Sequence, residues 1–417
     1  MSELNETPRG NRIHIAFFGL RNAGKSTLAN AFTGQPIAIV SDVAGTTTDP
    51  VSKAMEILPF GPCLVTDTAG LDDEGELGEM RVQKTLKVLE TTDIAVWVAG
   101  EDAGCEIGNG ESWRDRFLSV CRKHGVAVIE HRRGEDVEEL KKKIAAVKLG
   151  EKVPGLLDGL VKDGDRVLCV CPIDESAPKG RLILPQQQVI RECLDKHVAV
   201  TVCQPEELGG LFDCSDCSDC SSDGSGERDC RVLVITDSQA FGKVNELVSR
   251  WNGAIEQSNN LNNRTIRLTS FSILFARQKG DLPEYVKGLK AIKDLKDGDT
   301  VLVAEGCTHH RQCNDIGSVK IPKALQKLSG RQLKFEFASG MSFPVEQSNG
   351  RTAERFSLVV HCGGCMQTRR EMLRRIGMAK EAGVPIVNYG LVLAEAAGVP
   401  TESLVSSVLS PQGGVCK

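Results

Sequence analysis

Aromatic residues are scarce in this 417-residue chain, which holds two Tyr, three Trp and 13 Phe, 4% of the total. Proteins that bind single-stranded nucleic acid need rings for stacking, and those that bind duplexes need an excess of cation. Lys and Arg number 51 against 56 Asp and Glu, a formal net charge of -5. The chain meets neither requirement, so no nucleic-acid partner is expected. No apolar run approaches the ~20 residues that span a bilayer, so no membrane partner is expected either. Residues 1–11 are polar. They lack the apolar core of a secretory signal and the Arg-rich amphipathicity of a transit peptide. The expected location is a reducing cytoplasm, where the 16 Cys read as free thiols and metal ligands and not as a disulfide framework.

Strand-like and helix-like segments alternate along the whole length. RIHIAFF (12–18), residues 62–66, 94–99 and 126–130 read as strands, with helices from Lys25, at 79–90, 112–123 and 135–147 between them. This order predicts a parallel sheet with helices on both faces. Residues 150–164 read as a linker or entry segment. Strands at 166–171, 198–203 and 231–236 open a second α/β unit, and a third starts near Thr265, with strands at 300–304, 356–361 and 385–388. The fold class expected is α/β: a P-loop nucleotide domain with a parallel sheet, then two further α/β domains with mostly parallel sheets. The expected boundaries are 1–150, 151–266 and 267–417. The insert from Cys214 to Cys230 is rich in Ser, Asp and Gly. Its C-x-x-C-x-x-C spacing could hold a metal, but its composition is that of a solvated loop.

Gly19-Leu20-Arg21-Asn22-Ala23-Gly24-Lys25-Ser26 matches G-x-x-x-x-G-K-[ST] between a strand and a helix. In such a loop the backbone N–H groups approach phosphate, the Lys supplies charge to the β/γ-phosphates and the hydroxyl reaches Mg2+. Asp67-Thr68-Ala69-Gly70 ends the strand at 62–66. It offers a carboxylate to the metal and a backbone N–H to the γ-phosphate. Gly45-Thr46-Thr47-Thr48-Asp49 can offer a Thr to Mg2+. The expected nucleotide-binding residues are Gly19, Asn22, Ala23, Gly24, Lys25, Ser26, Thr27, Thr46, Thr47 and Asp67. Catalysis is assigned to Lys25, Thr47, Asp67 and Gly70.

These motifs resemble the translation-factor-related GTPases of the Era/TrmE type. The resemblance implies GTP as substrate, Mg2+ held by Ser26 and Thr47, and Leu71 where Ras-like enzymes place a water-orienting Gln. It also implies a K+ ion at Asn22, able to stabilise transition-state charge. One departure stands out: the base-reading N-K-x-D is replaced by Glu130-His131-Arg132-Arg133, with Glu135 and Asp136 nearby. Guanine specificity is implied by the resemblance alone.

A second constellation, Cys307-Thr308-His309 and His361-Cys362-Gly363-Gly364-Cys365, lies at the ends of two predicted strands. In open parallel sheets ligands bind beyond the carboxyl ends of the strands, so these distant residues are expected on one rim. Thiolates with imidazole suit either Zn2+ or an iron–sulfur cluster. His310 and His361 read as outer donors or satisfied core groups.

Residues 166–417 resemble the [FeFe]-hydrogenase maturation GTPases of the HydF family. The resemblance rests on PIDESAPKGRLILPQQQ (172–188), VITDSQAF (234–241), LTSFSILFARQKGDL (268–282), AEGCTHHRQCNDIGSVKIP (304–322), HCGGCMQTRREML (361–373) and VPIVNYG (384–390). It implies GTPase, dimerisation and cluster-binding domains, with homodimer contacts from the helix at 185–196 and its flanking strands. It further implies a [4Fe-4S] cluster held by Cys307, Cys362 and Cys365, with His309 as exchangeable fourth ligand. The function implied is a GTP-hydrolysing scaffold. It would accept a transient diiron precursor from radical-SAM maturation enzymes and pass it to apo-[FeFe]-hydrogenase. The competing expectation is an RNA-modification or ribosome-assembly GTPase with a structural zinc. An iron–sulfur redox enzyme with a regulatory GTPase finds no flavin or nicotinamide motif to support it.

Overall fold

The computed structural model describes residues 7–35, 50–58, 61–72, 76–100, 106–107, 111–148, 153–173, 180, 182–213, 231–257, 265–306, 315–340, 343–345 and 355–400. Two compact units result, Met1–Lys152 and Val153–Lys417. The protein is a mixed α/β molecule whose three main sheets are largely or wholly parallel.

The first unit runs β1 (Ile13–Phe18), α1 (Lys25–Thr33), β2 (Val51–Ile57), β3 (Gly61–Asp67), α2 (Glu76–Thr91) and β4 (Ile94–Ala99). A short ladder of β5 (Glu106–Ile107) and β6 (Glu111–Ser112) follows, then α3 (Trp113–Lys123), β7 (Ala127–Arg132) and α4 (Val137–Ala145). The sheet order is β2-β3-β1-β4-β7. Strands covered on both faces lose the two-residue alternation, which is why IHIAFF and IAVWVA are near-continuous apolar runs. β2 is the antiparallel edge. Its mostly exposed VSKAMEI carries little apolar signal, and sequence reading passes over it.

On one face of this sheet α1 and α4 pack through Leu28, Phe32, Leu140 and Ile144. On the other, Leu89 of α2 and Phe117 of α3 meet Phe18 and Trp97. Phe117 lies 5.0 Å from both of the latter rings. Each such buried ring contributes roughly 2–3 kcal/mol of hydrophobic stabilisation. Several of the few rings are therefore spent on core packing and cannot serve as stacking platforms.

The second unit runs β8 (Arg166–Val170), α5 (Leu184–Asp195), β9 (Ala199–Cys203), α6 (Leu208–Asp213), β10 (Arg231–Thr236), α7 (Phe241–Gln257), β11 (Thr265–Ser270), α8 (Phe271–Lys279) and α9 (Leu282–Ala291). It continues through β12 (Thr300–Glu305), α10 (Ile321–Ser329), β13 (Lys334–Ser339), β14 (Leu358–His361), α11 (Arg369–Glu381), β15 (Ile386–Asn388) and α12 (Tyr389–Ala396). Two four-stranded sheets form, β11-β10-β8-β9 and β13-β12-β14-β15. They share one continuous apolar core.

Two sequence expectations change here. β11, read as the opening of a third unit, pairs in register with β10 and completes the middle sheet. Residues 153–164 are not a loose linker. Leu156, Leu157 and Leu160 are buried, Glu192 accepts from the Leu156 and Leu157 N–H groups at 2.6 and 2.9 Å, and Arg277 donates to the Asp158 carbonyl at 2.6 Å.

The eight cysteines described are free. Burial pushes the Cys63 thiol up to about 11 and those of Cys121, Cys171 and Cys193 up to about 12. They stay protonated and unreactive. The insert 214–230 lies outside the described residues.

Candidate functional site

In the first unit β1 runs into the phosphate loop and β3 into Asp67-Thr68-Ala69-Gly70. Gly19 permits the close approach of loop to sheet, since a Cβ there would stand 2.6 Å from the Val98 carbonyl oxygen. Gly24, the residue before α1, has φ +90°, a conformation glycine adopts without strain. Asn22 has φ 57°. Asn is among the few non-glycine residues that visit the left-handed region readily, so its turn alone accounts for the residue type.

Ser26 Oγ donates to Asp67 Oδ2 at 2.6 Å, and the buried Lys25 donates to the Leu20 carbonyl at 2.7 Å. Asp67 is fully buried, and its Oδ1 has no hydrogen-bond partner. Burial holds its carboxyl above the usual range, opposed by the Ser26 hydrogen bond and the Lys25 charge. An orphaned buried carboxylate oxygen beside a serine hydroxyl at a helix start suits a hydrated divalent cation with phosphate. The residues present fit Mg2+ and a nucleotide.

Sequence reasoning missed Asp72. It accepts from the Arg21 N–H at 2.6 Å, and Leu71 N–H donates to the Gly19 carbonyl at 3.3 Å. These bonds lock the Asp67–Gly70 segment to the phosphate loop. A Cβ on Gly70 would fall 2.9 Å from the Arg21 nitrogen, so the packing needs glycine there. A second carboxylate two residues beyond D-T-A-G was the available signal. Ala23 and Thr27 lie in the same loop and helix start, whereas Thr46 and Thr47 lie outside the described residues.

At the far end of the sheet β7 gives way to Gly134 at φ +90° and then to α4. His131 is buried, with Nδ1 3.6 Å from the Glu135 carboxylate. Glu135 also faces Lys143 at 3.5 Å. Asp136 caps α4 by accepting from the Glu138 N–H at 3.1 Å. Both carboxylates nearest the missing N-K-x-D are thus already engaged.

In the second unit β12, β14 and β15 end together at Glu305-Gly306, His361-Cys362 and Asn388. Gly306, which precedes Cys307, donates its N–H to Cys362 Sγ at 3.1 Å. Cys362 and Cys365 bracket a tight turn in which Gly364 takes φ +65°. Burial first, and then the neighbouring Cys365, push the Cys362 thiol up to about 11. Burial raises Cys365 as well, with the Lys279 charge opposing it. Two soft donors, one of them already receiving a backbone N–H, fit a thiophilic metal or cluster. Cys307, His309 and His310 lie outside the described residues. Among the described residues no group of three or more His, Cys, Asp or Glu could hold a metal.

His361 is not free to ligate. Arg375 donates to its Nε2 at 3.1 Å. Arg has only donors, so the proton sits on Nδ1, which donates to the Cys362 carbonyl at 2.8 Å. Burial, reinforced by the Arg375 charge, pulls the imidazole down to about 3. Arg375 is wholly buried. It donates to Glu371 at 2.7 Å and to the Gly340 carbonyl at 2.6 Å, and the Gln367 amide is satisfied when its oxygen faces the guanidinium at 2.8–2.9 Å. On the other side α8 brings Lys279 under the same turn, where it donates to the carbonyls of Cys365 at 3.0 Å and Gln367 at 2.8 Å. Burial lowers its ammonium to about 8. Sequence reasoning missed Arg375, Glu371, Gln367 and Lys279. Only the resemblance segments, which contain all but Arg375, pointed near them.

Three family models match the chain in succession. They are a 50S ribosome-binding GTPase over residues 14–132, a hydrogen maturase F dimerization domain over 156–280 and a hydrogen maturase F tetramerization domain over 283–405. The chain therefore carries a GTPase domain and two domains of self-association. Among curated proteins, the GTPase Der of Wolinella succinogenes is 41% identical over 101 residues, 24% of this chain and 21% of that protein. The tRNA modification GTPase MnmE of Zymomonas mobilis is 27% identical over 184 residues, 44% and 38% respectively. The chain thus spans roughly a fifth to two fifths of these relatives' length. A solved structure of Aquifex aeolicus Era bound to GDP·AlF4⁻ is 15% identical, covers 78% of this chain and 93% of that one, and has a TM-score of 0.24. Among the described residues no helix is long and apolar enough to cross a membrane.

Proposed function

Because this chain belongs to the hydrogen maturase F family, we propose that it is a GTP-hydrolysing scaffold of [FeFe]-hydrogenase maturation. Its cargo is a diiron precursor supplied by radical-SAM enzymes and delivered to apo-[FeFe]-hydrogenase. The observation that carries this reading is the strand rim at Gly306 and Cys362–Cys365, joined in one chain to a phosphate loop whose Asp67 oxygen lacks a partner.

At the nucleotide site the loop from Gly19 to Ser26 holds the phosphates, and Ser26, Asp67 and Thr47 hold Mg2+. Lys25 offsets charge on the β/γ-phosphates, and the Gly70 N–H orients the γ-phosphate. Asn22 is assigned to K+. Replacing K+ by Na+ slows hydrolysis if that assignment holds, and equal rates remove it.

At the rim, Cys307, Cys362 and Cys365 hold a [4Fe-4S] cluster with His309 at the exchangeable corner. When bound, the cluster would supply an iron able to exchange its outer ligand. The chain's own residues do the rest. The Gly306 N–H stabilises thiolate at Cys362, and the His361 N–H and Arg375 fix the backbone behind it. Nucleotide hydrolysis does no chemistry at iron. It biases association with partners through switch contacts that differ between states.

Anaerobic purification with iron, sulfide and zinc analysis tests the reading. Iron and sulfide are expected, and Cys362→Ser or Cys365→Ser removes them and hydrogenase activation while GTP hydrolysis stays within about twofold. Stoichiometric zinc without sulfide overturns the scaffold.

A further inference from the structure

α8 ends at Lys279, which is only 2% exposed. Its three ammonium protons have three acceptors, the carbonyls of Gly364 at 3.4 Å, Cys365 at 3.0 Å and Gln367 at 2.8 Å. All belong to the turn that carries Cys362 and Cys365. The Phe275 ring covers the remaining side, its centroid 5.3 Å from the nitrogen.

None of these partners carries a charge. The groups able to carry negative charge that face Lys279 from the surrounding elements are Cys365 and Cys362, with no carboxylate of the described residues among them. Arg375, the other buried cation behind this rim, has Glu371 directly upon it. An ammonium taken out of water costs several kcal/mol unless an anion or ordered dipoles compensate. Carbonyl dipoles alone could be satisfied by a neutral donor such as Gln. Three carbonyl dipoles and the Phe275 face hold the ammonium in place, and the Cys362 and Cys365 sulfurs are the groups among the described residues that can add a full negative charge beside it.

We propose that Lys279 is the internal counter-charge of the cluster site. It is a positioning residue that ties down the Cys362–Cys365 turn and offsets the negative charge of thiolates and reduced cluster. The inference rests on the reading that these cysteines ligate iron. It assigns to α8, the helix linking the middle sheet to the rim, a direct electrostatic part in the cluster's redox state.

The test compares the full-length wild type, Lys279→Gln and Lys279→Arg after anaerobic reconstitution with iron and sulfide. Iron and sulfide content, circular dichroism and a reductive titration followed by electron paramagnetic resonance are measured on each. Gln keeps donors for the carbonyls and removes the charge, whereas Arg keeps the charge. Lys279→Gln is expected to lower the reduced-to-oxidised ratio at the wild-type midpoint about tenfold, about 59 mV for one electron. Lys279→Arg is expected to stay within about threefold of wild type. Uptake by Arg but not by Gln, with both folded, supports the same conclusion. Equal ratios in all three chains overturn the inference, as does a failure of Gln and Arg alike, which marks a packing role. A wild type without iron or sulfide overturns the cluster reading itself, and this inference with it.

Discussion

The phosphate loop and the cysteine rim are built on the same plan, with ligand groups placed beyond the carboxyl ends of parallel strands, yet they are finished differently. At the loop the polar groups are only partly satisfied. Asp67 Oδ1 is buried without a partner, and Lys25 leans on the Leu20 carbonyl. At the rim the supporting groups are bonded to one another: Arg375 to Glu371, His361 and Gly340, and Lys279 to three carbonyls. The loop suits a ligand that comes and goes, because the nucleotide and metal complete bonds the protein leaves open. The rim suits a resident group, because the cations behind its thiols are bonded in place before anything binds.

Lys25→Ala breaks the comparison from the nucleotide side and has the largest expected effect. Removing the Lys25 ammonium, which we assign to the phosphates, should cost about 10²–10³ in the rate of GTP hydrolysis. Iron and sulfide content of the second unit should remain that of wild type. Loss of both together, measured on the same preparation, would show that the rim is not prepared independently.

Arg375→Met breaks it from the rim side. Methionine keeps most of the buried volume but leaves His361 Nε2 without its donor and takes one of its two cations from Glu371, with Arg374 remaining at 2.9 Å. Breaking a buried pair by removing one partner costs about 3–5 kcal/mol. For a unit of this size that lowers the melting temperature by roughly 10 °C. Calorimetry should show the loss in the transition of the second unit, with nucleotide binding by the first unit unchanged.

Much of the loop was legible in the sequence, because its chemistry is carried by a contiguous motif whose neighbours are a strand and a helix. Strand 94–99 and strand 231–236 fall where the apolar pattern places them. The rim was legible only in its thiols. α8 follows β11 without a break, through the Ser270 cap, and six of its nine residues are buried, so it shows neither turn signal nor amphipathic period. Lys279 at its end then looks like any surface lysine. Arg375 and Glu371 sit one turn apart on α11 and read as an ordinary exposed i,i+4 pair. Only tertiary packing turns both into interior charges.

The smallest effect expected concerns the base. A carboxylate at the fourth position of N-K-x-D accepts two N–H donors that guanine has and adenine lacks, and a hydrogen bond to a charged group contributes about 1.5–3 kcal/mol. In this chain Asp136 is occupied in capping α4, and Glu135 lies between His131 and Lys143. Both carboxylates thus already have partners within the protein. Phosphate and metal contacts, which are the same for GTP and ATP, then dominate affinity. The preference for GTP over ATP in kcat/KM should be under about tenfold, against the roughly 150-fold that two charged hydrogen bonds at the low end of that range would give. Restoring a carboxylate at the fourth position with Arg133→Asp would widen the ratio if the segment after β7 lines the base. An unchanged ratio, or a strong GTP preference in the wild type, would place the reader in another part of the chain.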